Sequence, residues 1–213
     1  MANKVQTPEN DLMVETKGKL ELFFDKYGDK LLKALIAVTI VAVVVFVVMS
    51  LTANSKLKAE NTAQAALTVA LTNEGDVVAF EAIATEYEGT KAANTAAYLT
   101  GAEYLKAGDV AAAKTWLEKY VDVEGAAGEA INALVYTLRG DVAVEENDLQ
   151  SAADLFVKAL AASDDKFNAE AATKKLALVY EAMGDKAAAV EAYKALVAKY
   201  PELKSQYTKY IFE

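Results

Sequence analysis

The chain of 213 residues has no histidine and no cysteine, and its only prolines are Pro8 and Pro201. Without cysteine there is no disulfide framework, no thiol nucleophile, no thiolate metal site and no lipoprotein acylation. Without histidine there is no imidazole base, no Ser-His-Asp triad and no His-ligated zinc. Positive charge is also short. The 22 Lys+Arg face 31 Asp+Glu, a formal net charge of -9, which argues against a nucleic-acid binder because phosphates need a basic patch. No Gly-x-Gly-x-x-Gly, Walker loop or EF-hand loop is present. The acid-rich run Asp141 to Asp148 lacks the central glycine and closing glutamate that a calcium loop requires. The carboxylate pairs Glu145/Glu146 and Asp164/Asp165 read as solvated charge at helix ends and in turns, since adjacent helical residues point apart. The expectation is therefore a protein without catalysis, cofactor, metal or small-molecule substrate.

What is present is hydrophobicity in the wrong amount for a soluble chain. A quarter of the residues are charged, yet mean hydropathy is +0.12. The excess is concentrated in residues 34–55, from Ala34 to Ser55, which carry no charge at all. About 20 helical residues cross the ~30 Å hydrocarbon core of a bilayer, and a lone segment can satisfy its backbone there only as a helix. A cleaved signal peptide fits less well, because 33 residues precede the run and Leu51-Thr52-Ala53 is a poor cleavage site. An uncleaved signal anchor is expected. Six lysines precede it (Lys4, Lys17, Lys19, Lys26, Lys30, Lys33), whereas only Lys56 and Lys58 closely follow. That asymmetry puts the N-terminus in the cytoplasm and the C-terminal domain outside. Within the leader, Leu20, Phe23, Phe24, Tyr27, Leu31 and Leu32 fall at helical spacing among lysines, as in a segment lying on a membrane surface or simply leading into the span. Residues 1–12 read as disordered. The domain boundaries expected are 1–33 for a cytoplasmic leader, 34–55 for the anchor and 56–213 for an exported domain.

Beyond the span the chain is alanine-rich and repeats itself. Phe80, Leu117, Phe156 and Tyr193 head matching segments 37, 39 and 37 residues apart. Upstream of the last three lie matching turns: Gly108-Asp109, Asn147-Asp148 and Gly184-Asp185. Gly or Asn can end a helix in the left-handed conformation, and Asp can cap the next. Ala113, Ala152 and Ala189 each precede the large residue by four, so small and large residues share one helix face. Helices are expected near 57–73, 76–87, 91–107, 109–121, 127–145, 148–162, 167–183, 185–199 and 202–211. Trp116, next to Leu117, is expected to pack.

This pattern resembles the tetratricopeptide repeat. Gly101 and Tyr104 followed by Ala113 and Leu117 match it, as do Gly140 with Ala152 and Phe156, and Ala177 and Tyr180 with Ala189, Tyr193 and Pro201. Ala143 stands where the family has an aromatic residue. The fold class implied is all-α, with a single N-terminal transmembrane helix followed by a tetratricopeptide-like α-solenoid of about four helix pairs and a C-terminal capping helix bearing Tyr207, Tyr210, Ile211 and Phe212. In such repeats the first helix of each pair lines a concave face. Tyr98, Leu105, Asp141, Val144, Lys174, Leu178 and Glu181 are the expected partner-binding residues there.

Leader, span and exported repeats together resemble the YfgM-like family of ancillary SecYEG translocon subunits. The resemblance implies a single-pass protein of the bacterial inner membrane whose periplasmic domain links the translocon to chaperones, including a prolyl isomerase, and to unfolded clients. The competing reading is a tethered scaffold for another cell-envelope assembly or secretion machine. All of the -9 falls after residue 53, either as a solubilising surface or as one that prefers basic partners.

Overall fold

The computed structural model describes residues 8–72 and 76–212. Among these, every regular element is helical: α1 Pro8–Leu71, α2 Val77–Glu86, α3 Lys91–Lys106, α4 Val110–Lys119, α5 Ala126–Glu145, α6 Leu149–Ala162, α7 Lys166–Ala182, α8 Lys186–Lys199 and α9 Lys204–Phe212, with a 3-10 turn at Pro201–Leu203. The chain divides into two compact units, Met1–Leu57 and Lys58–Glu213.

The first unit holds most of α1. Two expectations need correction. Residues 8–12 are helical, not disordered. Nor does a break separate the apolar run from the helix expected at 57–73. Residues 29–74 contain neither Gly nor Pro, so nothing in the backbone chemistry ends the helix there. Residues 1–7 and Asn73, and the leader side chains of Leu20, Phe23, Phe24, Leu31 and Leu32, lie outside what is described; Tyr27 is exposed. The stretch Ala37–Leu71 is a candidate span, with none of its apolar window buried. Val38, Ile40, Val41, Phe46, Met49 and Leu51 are all exposed.

In the second unit each helix packs on its sequence neighbours, and α5 also touches α3 and α7. The helices therefore pair as α3/α4, α5/α6 and α7/α8, with the first members of successive pairs side by side. The end of α1 and α2 form the corresponding first pair: Ala63, Leu67 and Ala70 pack on Phe80 and Ile83, against Ala92 and Ala96 of α3. The Glu60 carboxylate accepts from the amides of Lys91 (2.8 Å) and Ala92 (3.3 Å), satisfying free donors at the start of α3.

The repeat phase follows the sequence pattern. Phe80, Leu117, Phe156 and Tyr193 are each at most 6% exposed, and Ala113, Ala152 and Ala189 at most 2%. The turns are built as their residues require. Gly108, Asn147 and Gly184 have φ of +81°, +58° and +82°. The amides of Asp109, Asp148 and Asp185 then bond back to Tyr104, Ala143 and Tyr180 at 2.8–2.9 Å, closing each helix. The same three aspartates cap the following helices, accepting from the amides of Ala112, Ser151 and Ala188 at 2.9–3.1 Å.

The longer connection between α4 and α5 is held by side chains. Asn94 brackets Val121, donating to its carbonyl and accepting from its amide, both at 2.8 Å. Asn132 does the same for Val123 at 2.9 and 3.0 Å. Arg139 donates to the carbonyls of Leu117 (2.6 Å) and Tyr120 (2.9 Å), closing the end of α4.

At the C-terminal end, α9 covers the last pair. Tyr207 is 1% exposed and packs with Tyr193, Leu196 and Leu203, with Ile211 alongside. The rings of Tyr193, Tyr207 and Tyr210 cluster with centroids 4.8–6.0 Å apart. Tyr210 and Phe212 remain exposed at 41% and 77%, so only part of the expected aromatic set covers the repeat core.

Candidate functional site

The side-by-side first helices of each pair leave a groove on their shared face. It has a volume of about 520 Å³. Its floor and walls come from Leu105 at the end of α3, Val110 at the start of α4, Val144 of α5, Leu149 of α6 and Leu178 of α7. Phe156 and Val179 close it from the core side. Each outward residue arrives there because it lies off the packing face of a helix whose other side is committed to the repeat core. Leu178 is 62% exposed and Val144 38%, a high value for aliphatic side chains beside a concavity.

The polar content of the groove is small and arranged. Lys175 of α7 donates to Asp141 of α5 at 2.7 Å, linking two consecutive pairs. Burial raises the Asp141 carboxyl above its usual range, and the hydrogen bond from Lys175 opposes that rise. Glu145 lies on the groove wall, exposed and without an ion pair among the described residues.

Of the residues expected on the concave face, Leu105, Asp141, Val144 and Leu178 line this one groove. The other three lie elsewhere. Tyr98 packs against the cluster of Leu117, Tyr120 and Val135, and burial raises its hydroxyl above the usual phenol range. Lys174 is drawn toward the cap, pairing with Glu170 at 2.8 Å and lying over the Tyr207 ring. Glu181 is exposed, one turn past Leu178. Sequence reasoning did not single out Lys175, Val110, Leu149 or Val179, and it treated Glu145 only as half of a carboxylate pair. A weak signal for Lys175 existed: it stands 34 residues after Asp141, three short of the repeat period, on the corresponding helix of the next pair.

Other candidates for chemistry resolve into structure. Glu146 pairs with Lys114 at 2.8 Å and Asp164 with Lys199. Trp116 is half-buried, with the Lys119 ammonium 3.6 Å above its ring. No cluster of three or more acidic ligands suited to a metal occurs among the described residues. What the described residues offer here is an open, largely apolar contact surface.

Comparison with known proteins agrees with this geometry. Residues 175–198, the end of α7 and nearly all of α8, match the tetratricopeptide repeat family. The chain is similar to a crystal structure of MamA protein at 22% identity, with a TM-score of 0.53 over 72% of this chain and 79% of that one. A second MamA structure aligns at 22% identity over 74% and 77% of the two chains, with a TM-score of 0.44. The first likeness supports the tetratricopeptide-like solenoid fold. No curated protein matches the sequence with significance.

Proposed function

We propose that this chain is a membrane-anchored protein-interaction adaptor and that the groove of Leu105, Val144 and Leu178 is its docking surface. The observation that carries the reading is an open, largely apolar groove that runs across consecutive helix pairs of the repeat stack. Such repeats work by presenting an extended concave surface to another chain. The exposed apolar run in α1 supports the anchor, because so long an uncovered hydrocarbon surface is stable only in lipid or against another protein. The lysine asymmetry supports a cytoplasmic N-terminus and a periplasmic repeat domain in the inner membrane of a bacterium.

The partner set we propose is the one the architectural resemblance implies: the SecYEG translocon, met through the anchor, and periplasmic chaperones, a prolyl isomerase or emerging clients, met through the groove. Purification of the full chain in mild detergent tests this. SecY and a periplasmic foldase should co-elute, and Val144→Ser/Leu178→Ser should lose the foldase. An eluate without either would sink the translocon assignment. Function that survives exchange of residues 34–55 for an unrelated span would favour a tethered scaffold of another envelope machine.

A further inference from the structure

We propose that the groove accepts a cationic amphipathic segment of its partner, apolar residues seated on Leu105, Val144 and Leu178 and lysine or arginine residues turned toward the rim. The proposal rests on the groove being the docking surface and names the chemistry of what docks.

The argument is one of charge accounting on a single face. Among the lining residues the one cation is Lys175, and it is engaged by Asp141 at 2.7 Å; Lys174, turned toward the cap, is engaged by Glu170 at 2.8 Å. The carboxylates of Glu145, beside Val144, and Glu181, one turn beyond Leu178, are exposed and have no ion pair among the described residues. Asp109 at the Gly108 corner is exposed as well, its carboxylate already capping α4. An acidic ligand would therefore meet only like charge unless it broke an existing pair. A basic one meets carboxylates that are free to receive it. The apolar lining demands the other half of the ligand: aliphatic or aromatic side chains on one side only, as an amphipathic helix presents them. Apolar contacts would supply most of the affinity and the charges most of the selectivity. Two solvent-facing charge contacts discriminate by roughly tenfold.

The test uses the full chain in nanodiscs of zwitterionic lipid, with empty nanodiscs as the control. Two fluorescent amphipathic peptides share the same leucine positions; one carries lysine on its polar face and the other glutamate. The lysine peptide should bind roughly tenfold more tightly, Glu145→Lys/Glu181→Lys should reverse that preference, and Leu178→Ser should weaken the lysine peptide. Circular dichroism checks that each variant keeps its helix content. Equal or tighter binding of the glutamate peptide overturns the ligand class and leaves the groove standing. Lysine-peptide binding unaffected by Leu178→Ser overturns its placement. If neither peptide binds and sedimentation shows a dimer that Leu178→Ser dissolves, the occupant is a second copy of this chain, and both this inference and the adaptor reading fail.

Discussion

Gly140 and Phe156 show how tightly two helices of one pair approach. A β-carbon on Gly140 would stand 2.5 Å from Cε1 of Phe156, a ring that is fully buried and cannot retreat. Alanine at this position gains up to about 1 kcal/mol of helix propensity, but overpacking a closed core costs about 1–3 kcal/mol. Gly140→Ala is thus expected to lower the denaturation midpoint, and Phe156→Leu should cost less in that background than in the native one. Gly108→Ala tests a different mechanism. Nothing lies within 4 Å of its missing β-carbon, so its cost is that of holding an L-residue at φ +81°, about 1–2 kcal/mol. Arg139 is a third case: Arg139→Met removes the charge-assisted donor from the Tyr120 carbonyl and from the Leu117 carbonyl, which keeps only the Tyr120 amide, and should cost about 1.5–3 kcal/mol in chemical denaturation. Gly101 and Gly140 were legible in the sequence as the small residues of a repeat. Arg139 was not, because a cation that closes another helix has no periodic signature.

Among the helices, α9 is the one whose removal should be most informative. Deleting residues 204–213 uncovers Tyr193 and Leu196 and loses the burial of Tyr207, worth about 1.5–3 kcal/mol. In a stack held by nearest neighbours the damage should stay local. Hydrogen exchange should show α7 and α8 opening while α3 to α6 keep their protection. The same cap gives an acid sensitivity. Hydrogen bonds from Lys174 and Tyr207 hold the Glu170 carboxyl below its ordinary value of 4.5. A depressed carboxyl stabilises the fold above its unfolded-state pKa, and that contribution is lost as pH falls through the lower folded-state value. Melting temperature should therefore drop as pH falls below about 4.5, and Glu170→Gln should flatten part of the drop while costing stability at neutral pH. The boundaries between α3 and α4, α5 and α6, and α7 and α8 were readable because Gly or Asn followed by Asp punctuates them. The length of α1 was not: a change from apolar to polar pattern near residue 55 marks a change of surroundings, whereas only Gly, Pro or a cap ends a helix.

For the repeat domain as a whole, the polar contacts repeat with the fold. Lys114 reaches Glu146, Lys175 reaches Asp141, Lys199 reaches Asp164 and Tyr207 reaches Glu170, at separations of 32 to 37 residues. Lys175–Asp141 and Tyr207–Glu170 join α7 to α5 and α9 to α7, whereas Lys114–Glu146 joins α4 to the end of α5 and Lys199–Asp164 joins the end of α8 to the turn before α7, so contacts about one repeat apart in sequence tie the stack together. The repeat period was visible in the sequence, and with it the buried large and small residues. The groove was visible only in part, since Leu105, Asp141, Val144 and Leu178 follow from helix phase, while Tyr98 and Lys174 are drawn aside by neighbours that phase alone does not show. The central claim is that this face is where another protein docks. It is tested most directly by a photoreactive residue placed in living cells at position 178 in the groove and, as a control, at the exposed Val157 of α6. Crosslinks to a defined partner from position 178 but not from position 157, identified by mass spectrometry, are expected. Equal crosslinking from both positions, or from position 157 alone, would contradict the account.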